Sequence, residues 1–417
     1  SFEELSACPP CCRRLRAAPP GLPVTRAVVR GLFRSLPVVS STASTLHRPP
    51  DVRLPPPDAR RAPTRRLAMG GHKYNVFVDP DSVRTGVKYS KAAIVVNPNS
   101  GNRMGLKTLS WLRPDLEKAG VSIEKVLETE YAGHAVELAA ETDFTGIDLV
   151  LCIGGDGTAH ETINGLMKRD AESLANLTLC LVPNGTGNTV AFDMGYEKPK
   201  EALKAILNGT SREIDVLELV DDEGNKTYSI NIVGYGLPTA VMGLANKLRC
   251  CGCGAQYDNA GYVELLKRKG YDTEIVCKYP DGSEKVFDEK FMMVMIHNTV
   301  HMGKRMPFAP DAQLDDGLMD LVALTRRQWT RVAVAGMLTK AKKGTHGSHE
   351  NLIYEKCSEL TIRPKEGNKM VGANTLNVDG ELTSVTPINI KVVPKALRVV
   401  VPESRAKSVA LRPSSKT

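Results

Sequence analysis

"CIGGDGTAHETINGL", residues 152–166, is the stretch on which the reading of this chain turns. An apolar run (Leu149–Ile153) meets Gly154, Gly155 and Gly157, and a segment of helical character follows. One carboxylate, Asp156, sits where the backbone is barest. Glycine lets a backbone pass close to a ligand without a Cβ in the way, and it admits positive φ. A helix that starts just after such a turn offers unpaired N–H groups and a partial positive charge to an anion. That combination suits a phosphate chain. A carboxylate there repels phosphate unless it binds a metal ion or accepts a proton, and phosphoryl transfer to an alcohol needs both functions. The P-loop pattern G-x-x-x-x-G-K-[ST] does not occur.

Around this stretch the pattern alternates. "AAIVVNPNSG" is a strand ending in a turn, followed by a helix over about 104–118. "VSIEKVLE" is a strand, "GHAVELAAE" a helix, "IDLVLCIGGDG" a strand and turn, and 158–168 a helix. "LTLCLVPNGTGN" is a fourth strand with a second glycine turn. Such alternation predicts a parallel sheet with helices on both faces. Ligands bind beyond the carboxyl ends of such strands, where the turns 97–101, 154–158 and 184–188 fall. After about residue 212 the chain becomes short strand-like runs: "REIDVLELV", "KTYSINIVG", "DTEIVCKYP", "KFMMVMIHN", "GLMDLVALT", "SELTIRP", "TLNVDGEL" and "INIKVVP". Helices are expected near 260–269 and 328–340. These runs predict a mainly antiparallel, β-rich domain. The boundaries expected are a leader over 1–72, an α/β nucleotide domain over 88–212 and a β-rich lipid-binding domain over 213–403, with a cleft between the last two.

Charge separates the leader from the body. Residues 1–72 hold 12 arginines, no lysine, 4 acidic residues and 12 of the 26 prolines, leaving 43 basic and 43 acidic residues for the rest. A nucleic-acid-binding body would be basic, so that class is disfavoured. The leader cannot bury a core and is expected to be disordered. It reads either as an organelle transit segment, mitochondrial or plastid, or as upstream or linker sequence of a cytosolic protein. Met69 offers an alternative start, but Tyr74 breaks the myristoylation pattern. No run of 18 apolar residues predicts a transmembrane helix. The ten cysteines show no disulfide framework. Cys250, Cys251 and Cys253 lack a second pair at zinc-ligand spacing, and read as reduced loop thiols or as S-acylation sites beside a membrane. An intracellular location, peripheral to membranes, is expected.

"NPNSG", "GGDGTAHETINGL" and "PNGTGN", in this order, resemble the catalytic domain of the diacylglycerol kinase and sphingosine kinase superfamily. "HMGKRMPFAPDAQLDDGLMDL" and "NVDGE" resemble that family's later motifs, so the likeness spans about 88–400. "GYG" at 234–236 and "QYDNAGYVELLKR" at 256–268 are most similar to the ceramide and sphingoid long-chain-base kinase branch.

The resemblance implies an α/β nucleotide domain of the NAD kinase and diacylglycerol kinase type followed by a β-sandwich, with ATP and Mg²⁺ in the cleft. It implies that Asn97, Pro98, Asn99 and Thr129 line the nucleotide. Gly154, Gly155, Gly157 and Thr158, with Gly185, Thr186 and Gly187, would hold its phosphates. Glu161 would face the nucleotide or stand exposed on its helix; Asn164 reads as a structural tie. Asp156 and Glu381 both match residues assigned as general base within the superfamily. Asp156 is favoured, with Asp379, Gly380 and Glu381 completing the nucleotide and metal site. Asp316 matches a Mg²⁺ ligand of the bacterial branch, or is a turn aspartate. Lys247 and Arg249 are candidate phosphate contacts.

Two departures matter. Thr189 stands where the family often has aspartate. No acid lies between Gly236 and Met242, where sphingosine and ceramide kinases place one against the lipid head group. The expected activity is ATP- and Mg²⁺-dependent phosphorylation of a primary hydroxyl on a sphingoid base or ceramide, at a membrane surface; diacylglycerol is the alternative. An NAD kinase is opposed by the 301–321 block, and a lipid-binding pseudokinase by the intact Asp156 and Glu381.

Overall fold

The computed structural model describes residues 80–248, 269–303, 305–326, 331–347, 349, 351–365 and 375–406, with Gly261, Glu264 and Lys267. The leader, the 250–253 cysteines, Arg249, the side chain of Lys247 and most of 256–268 lie outside the described residues.

A short strand β1 (Val83–Arg84) precedes β2 (Lys91–Val96), a kinked turn at Ser100–Arg103 and helix α1 (Gly105–Lys118). Then come β3 (Ser122–Glu128), α2 (His134–Glu141), β4 (Leu149–Gly154), α3 (Asp156–Leu166), α4 (Ala171–Ala175) and β5 (Thr178–Pro183). Helices α5 (Thr189–Met194) and α6 (Pro199–Asn208) complete this half. Strands β3, β2, β4 and β5 pair in parallel in that order. Every residue of β4 and β5 is buried, the mark of a sheet covered on both faces, while the edge strand β3 alternates between exposed and half-buried. Helix α1 packs beside α6, and α2 beside α3. Helix α6 shows why a helix starts and stops where it does. Pro199 opens it, the Glu201 carboxylate accepts the N–H groups of Glu197 and Lys198, and Gly209, at φ 62°, ends it.

The second half is antiparallel. It runs β6 (Ser211–Asp221), β7 (Lys226–Ser229), β8 (Ile232–Gly236), α7 (Leu237–Leu248), β9 (Tyr271–Lys278), β10 (Glu284–His297) and the small hairpin β11 (His301–Met302) and β12 (Met306–Pro307). It continues through β13 (Met319–Thr325), α8 (Arg331–Lys342), β14 (Leu352–Cys357), β15 (Glu359–Pro364), β16 (Thr375–Val378), β17 (Glu381–Val385), β18 (Ile388–Val400) and α9 (Glu403–Ala406). One core lies under the parallel sheet and a second within the antiparallel region. A third, rich in methionine (Met292, Met293, Met295, Met337), surrounds Phe308.

The structure differs from the sequence reading at particular places. "KTYSINIVG" is two strands, because the backbone at Ile230–Ile232 turns its N–H groups onto the Asp379 carboxylate. "TLNVDGEL" is a hairpin, not a run, with Asp379 at φ 52° and Gly380 at φ 100°. Strand β14 and helix α7 were not expected. Strand β18 pairs antiparallel with β6 and β15, and then at Val399 lies parallel to Leu179 of β5. Its end, with Leu397, Val399 and Val400, thus packs into the first core. Among the described residues, Cys152, Cys180, Cys277 and Cys357 are free and buried, and no helix is long and apolar enough to cross a membrane.

Candidate active site

The polar turns do meet at the carboxyl end of the parallel sheet, held in part by Asn97 and Thr158, which the sequence reading had assigned to the nucleotide. Asn97 donates from Nδ2 to Thr158 Oγ1 (3.1 Å), and its Oδ1 accepts the N–H of Asn99 (2.9 Å). Asn184 donates to Ser100 Oγ (2.6 Å) and accepts from Thr108 Oγ1 (2.7 Å), tying the β5 turn to the β2 turn. Asn188 closes the second glycine turn by exchanging hydrogen bonds with both backbone groups of Gly185 (2.8 Å each). Thr129 is buried and its N–H continues the sheet onto Val96. Pro98 is half-buried, and Asn99, Thr186 and Gly187 are exposed at the mouth.

The glycines are required for contact rather than for conformation. None of Gly154, Gly155, Gly157, Gly185 or Gly187 has a positive φ. A Cβ on Gly185 would lie 2.5 Å from the Cα of Gly155, so the two turns touch backbone to backbone. A Cβ on Gly154 would strike Thr158, and one on Gly187 would strike Asp156 Oδ2 at 2.5 Å. Helix α3 begins at Asp156 with Gly155 as its N-cap and no side-chain cap, so its first N–H groups face the turns.

Two carboxylates flank that helix end. Asp156 is half-buried, and its Oδ1 accepts the N–H of Val190 at 3.2 Å, at the start of α5. Burial raises its pKa above the usual carboxylate value, and the nearby Asp379 adds to this, while the N–H groups of Val190, Thr189 and Asn188 oppose it. Glu381 is exposed, and its Oε1 stands 3.3 Å from where a Cβ on Gly157 would be.

Asp379 is corrected to a structural role. It is buried, and its Oδ1 accepts from Ser229 Oγ (2.6 Å), Asn231 N (3.1 Å) and Ile232 N (3.0 Å). Its Oδ2 faces His160 Nδ1 (3.0 Å) and Ile230 N (3.3 Å). Its two oxygens thus face five protein groups. Burial alone would lower the His160 pKa, but Asp379, with Glu381 and Glu161 beyond it, outweighs that and raises it. His160 was missed, although a histidine within a buried helix face one turn past the glycines was a visible signal.

Glu161 does neither of the things expected of it: its carboxylate accepts the N–H groups of Gly133 (2.9 Å) and Ala135 (3.3 Å), capping α2. Asn164 exchanges hydrogen bonds with the backbone of Tyr228 and is a tie. Asp316 stands in a turn. It accepts the N–H of Leu318 and pairs with Lys356 at 3.1 Å, whose ammonium also lies 2.8 Å from Asp320. Among the described residues no group of three acids, histidines or cysteines could by itself hold a metal ion. The sequence reading also passed over Tyr131, 53% exposed and stacked on His134 at 4.5 Å beside Thr129.

The same two-part organisation is found in known proteins. Residues 91–219 match the diacylglycerol kinase catalytic domain, and residues 231–401 the YegS C-terminal NAD kinase beta sandwich-like domain. A diacylglycerol kinase of Bacillus subtilis (strain 168) is 31% identical over 326 residues, covering 76% of this chain and 99% of its own. The chain belongs to the diacylglycerol kinase family. It is an ATP-dependent lipid kinase, with a parallel-sheet core and a later antiparallel β-sandwich region. A diacylglycerol kinase of Staphylococcus aureus (strain Newman) is 29% identical over 317 residues, 75% of this chain and 92% of its own. In three dimensions a diacylglycerol kinase from Bacillus anthracis str. Sterne superposes with a TM-score of 0.56 at 22% identity, covering 76% of this chain and 99% of that one. The names of these relatives support the superfamily and do not specifically support the sphingoid branch that the sequence suggested.

Proposed function

We propose that this kinase phosphorylates the primary hydroxyl of diacylglycerol, with Glu381 as the general base. The observation that carries the reading is the uncapped N-terminus of α3, set between two touching glycine turns and flanked by Asp156 and Glu381. The helix end and the exposed Thr186–Gly187 backbone receive the phosphates of ATP. Of the two acids, Glu381 is the one that stands exposed to an incoming hydroxyl, whereas one oxygen of Asp156 is engaged by Val190. This reverses the preference drawn from sequence. A general base must reach the proton it takes, and Glu381 is placed to do so as the hydroxyl approaches over Gly157. Asp156 positions the second glycine turn.

The donor set fits a Mg²⁺ ion that arrives with ATP. Mg²⁺ is commonly held by one or two carboxylates plus phosphate oxygens, and with Glu381 reserved for the proton, Asp156 Oδ2 is the carboxylate oxygen left for that. When bound it would neutralise charge on the phosphates. The exposed ring of Tyr131 is offered to the nucleotide base at the β3 side of the site.

Diacylglycerol is favoured over a cationic sphingoid base by the acid-free start of α7, Leu237–Val241, and by the names of the relatives. One observation favours the second reading, a sphingoid base or ceramide. The crevice lined by Leu237, Ala240, Lys269, Tyr271 and Met292 also holds the buried carboxylate of Glu264, which pairs with Lys267 and could pair instead with a lipid ammonium. A radiometric screen over diacylglycerol, ceramide, sphingosine, phytosphingosine and NAD decides between them. Diacylglycerol phosphorylation is expected; turnover of sphingosine alone would overturn the reading.

A further inference from the structure

The chain entering β13 gathers four carboxylates that phosphoryl transfer does not use. Asp215 lies on β6, Asp315 and Asp316 in the turn before β13, and Asp320 on β13 itself. Most of their oxygens are met by the surrounding chain. Asp215 accepts the N–H groups of Lys395 (2.8 Å) and Gly317 (2.7 Å), one on each oxygen. Asp315 takes the Arg212 guanidinium on both oxygens (2.5 and 2.9 Å) and the Ser82 hydroxyl on one (2.8 Å). Asp316 Oδ1 accepts the N–H of Leu318 (3.1 Å), and Asp320 Oδ1 the Tyr354 hydroxyl (2.8 Å). The remaining pair, Asp316 Oδ2 and Asp320 Oδ2, converge on a single atom. That atom is Nζ of Lys356, at 3.1 and 2.8 Å.

Strand pairing delivers this lysine. Lys356 stands directly opposite Asp320 in the β13–β14 register. Its side chain is 27% exposed, against 19% for Asp316 and 1% for Asp320, so solvent screens the trio only in part. The acids crowd one another. Burial pushes Asp215 up to about 6, and the charges of Asp316 and Asp315 add to this. Burial also pushes Asp320 up to about 6, against the pull of Lys356 and the Tyr354 hydroxyl. Four carboxylates so placed need positive charge among them.

The family resemblance implied that Asp316 meets this need by holding Mg²⁺. The donor set does not fit that ion. Mg²⁺ takes oxygens at about 2.0–2.1 Å and Ca²⁺ at about 2.3–2.6 Å. An ion bridging Asp316 Oδ2 and Asp320 Oδ2 would share the space of the Lys356 ammonium, which lies against both, and would be repelled by its charge.

We propose that Lys356 is a built-in cation, its ammonium standing between Asp316 and Asp320 in place of a divalent ion. The turn before β13 is then tied to β14 by the chain itself. The antiparallel half of the kinase keeps its fold without metal, and the metal requirement is left to the ion that arrives with ATP.

Mn²⁺, followed by electron paramagnetic resonance, tests this on the full chain without nucleotide. Lys356→Met keeps the length of the side chain and removes its charge. It should lower the Mn²⁺ concentration for half-saturation by about tenfold or more, as expected when a unit positive charge beside the site is removed. Adding Asp316→Asn to that variant should abolish the gain. The parent should show no Mn²⁺ uptake that Asp316→Asn alone removes. Thermal unfolding gives a second readout. The parent should melt at the same temperature in EDTA and in Mg²⁺, whereas Lys356→Met should melt lower in EDTA and recover in Mg²⁺.

Mn²⁺ held by the parent and lost in Asp316→Asn overturns the proposal. So does a folded Lys356→Met protein that binds Mn²⁺ no better than the parent. Should Lys356→Met not fold in either buffer, the titrations of the parent and Asp316→Asn decide the question. Neither nucleotide nor lipid is present, so the outcome is independent of the reaction proposed above.

Discussion

Two turns deliver a carboxylate to the N-terminus of α3, by opposite means. At Gly154–Thr158 the backbone keeps ordinary negative φ, and bare glycines let it press against Gly185. The crowding holds Asp156 against the start of α5. At Asp379–Glu381 the backbone itself is left-handed over two residues. Asp379 is consumed in anchoring that turn to Ile230–Ile232 and His160, and Glu381 projects freely. The difference teaches that an acid in a glycine-rich motif can be a scaffold, while the acid proposed as the base stands on a turn whose own aspartate supplies the rigidity.

The strongest way to break the comparison is through the acids themselves. Glu381→Gln should lower kcat by about 10²–10⁴-fold with little change in thermal stability. Asp156→Asn should cost less in kcat and more in KM for ATP, because the second glycine turn loosens. If Asp156→Asn has the larger kcat defect in a folded protein, the two roles exchange.

Next in size is the anchor. Asp379→Ala leaves the N–H groups of Ile230, Asn231 and Ile232 and the His160 imidazole without their partner. Loss of a buried charged partner of this kind costs about 3–5 kcal/mol, and chemical denaturation should show it. A loss below about 0.5 kcal/mol, within the range of an ordinary surface substitution, would mean the turn is rigid without its anchor.

The glycine contact predicts a smaller effect. Gly185→Ala places a Cβ 2.5 Å from the Cα of Gly155, and overpacking of this kind costs about 1–3 kcal/mol. ATP affinity should fall with stability; unchanged affinity for ATP would show that the two turns need not touch.

Least in magnitude, and most discriminating, is pH. The folded pKa of Asp156 is raised, so its contribution is present below the ordinary carboxylate value and is lost as pH rises through the acid range. The folded pKa of His160 is also raised, so its contribution is full below the ordinary imidazole value and is lost as pH rises through the higher folded value. Asp156→Asn should flatten the acid limb of the stability profile and His160→Gln the neutral-to-alkaline limb. A His160→Gln profile that keeps the parent's slope above neutrality would remove the imidazole from the second turn's support.

Much of this was legible along the chain. The spacing of Ala92–Val96, Leu149–Ile153 and Leu177–Val182 announced buried parallel strands, and the polar turns after them announced where they converge. Their glycines were misread in one respect, since contact between turns looks the same in sequence as freedom of φ. The two-strand break at Ile230 was invisible because its cause, Asp379, lies about 150 residues away. Strand β14 escaped notice because "LIYEKC" is half-buried along nearly its whole length and so shows no alternation.

Residue order by itself determined the class of sheet, the order of the turns and the set of acids that could take part in phosphoryl transfer, because periodicity and turn chemistry are local properties. Only the tertiary structure decided which acids are occupied. Asp379 meets Ser229 and His160, Asp316 meets Lys356, and Glu161 meets the start of α2, each across 26 or more residues. A carboxylate already holding protein donors differs from one facing solvent only through partners that folding brings to it, and Glu381 is the acid of this set that folding leaves open.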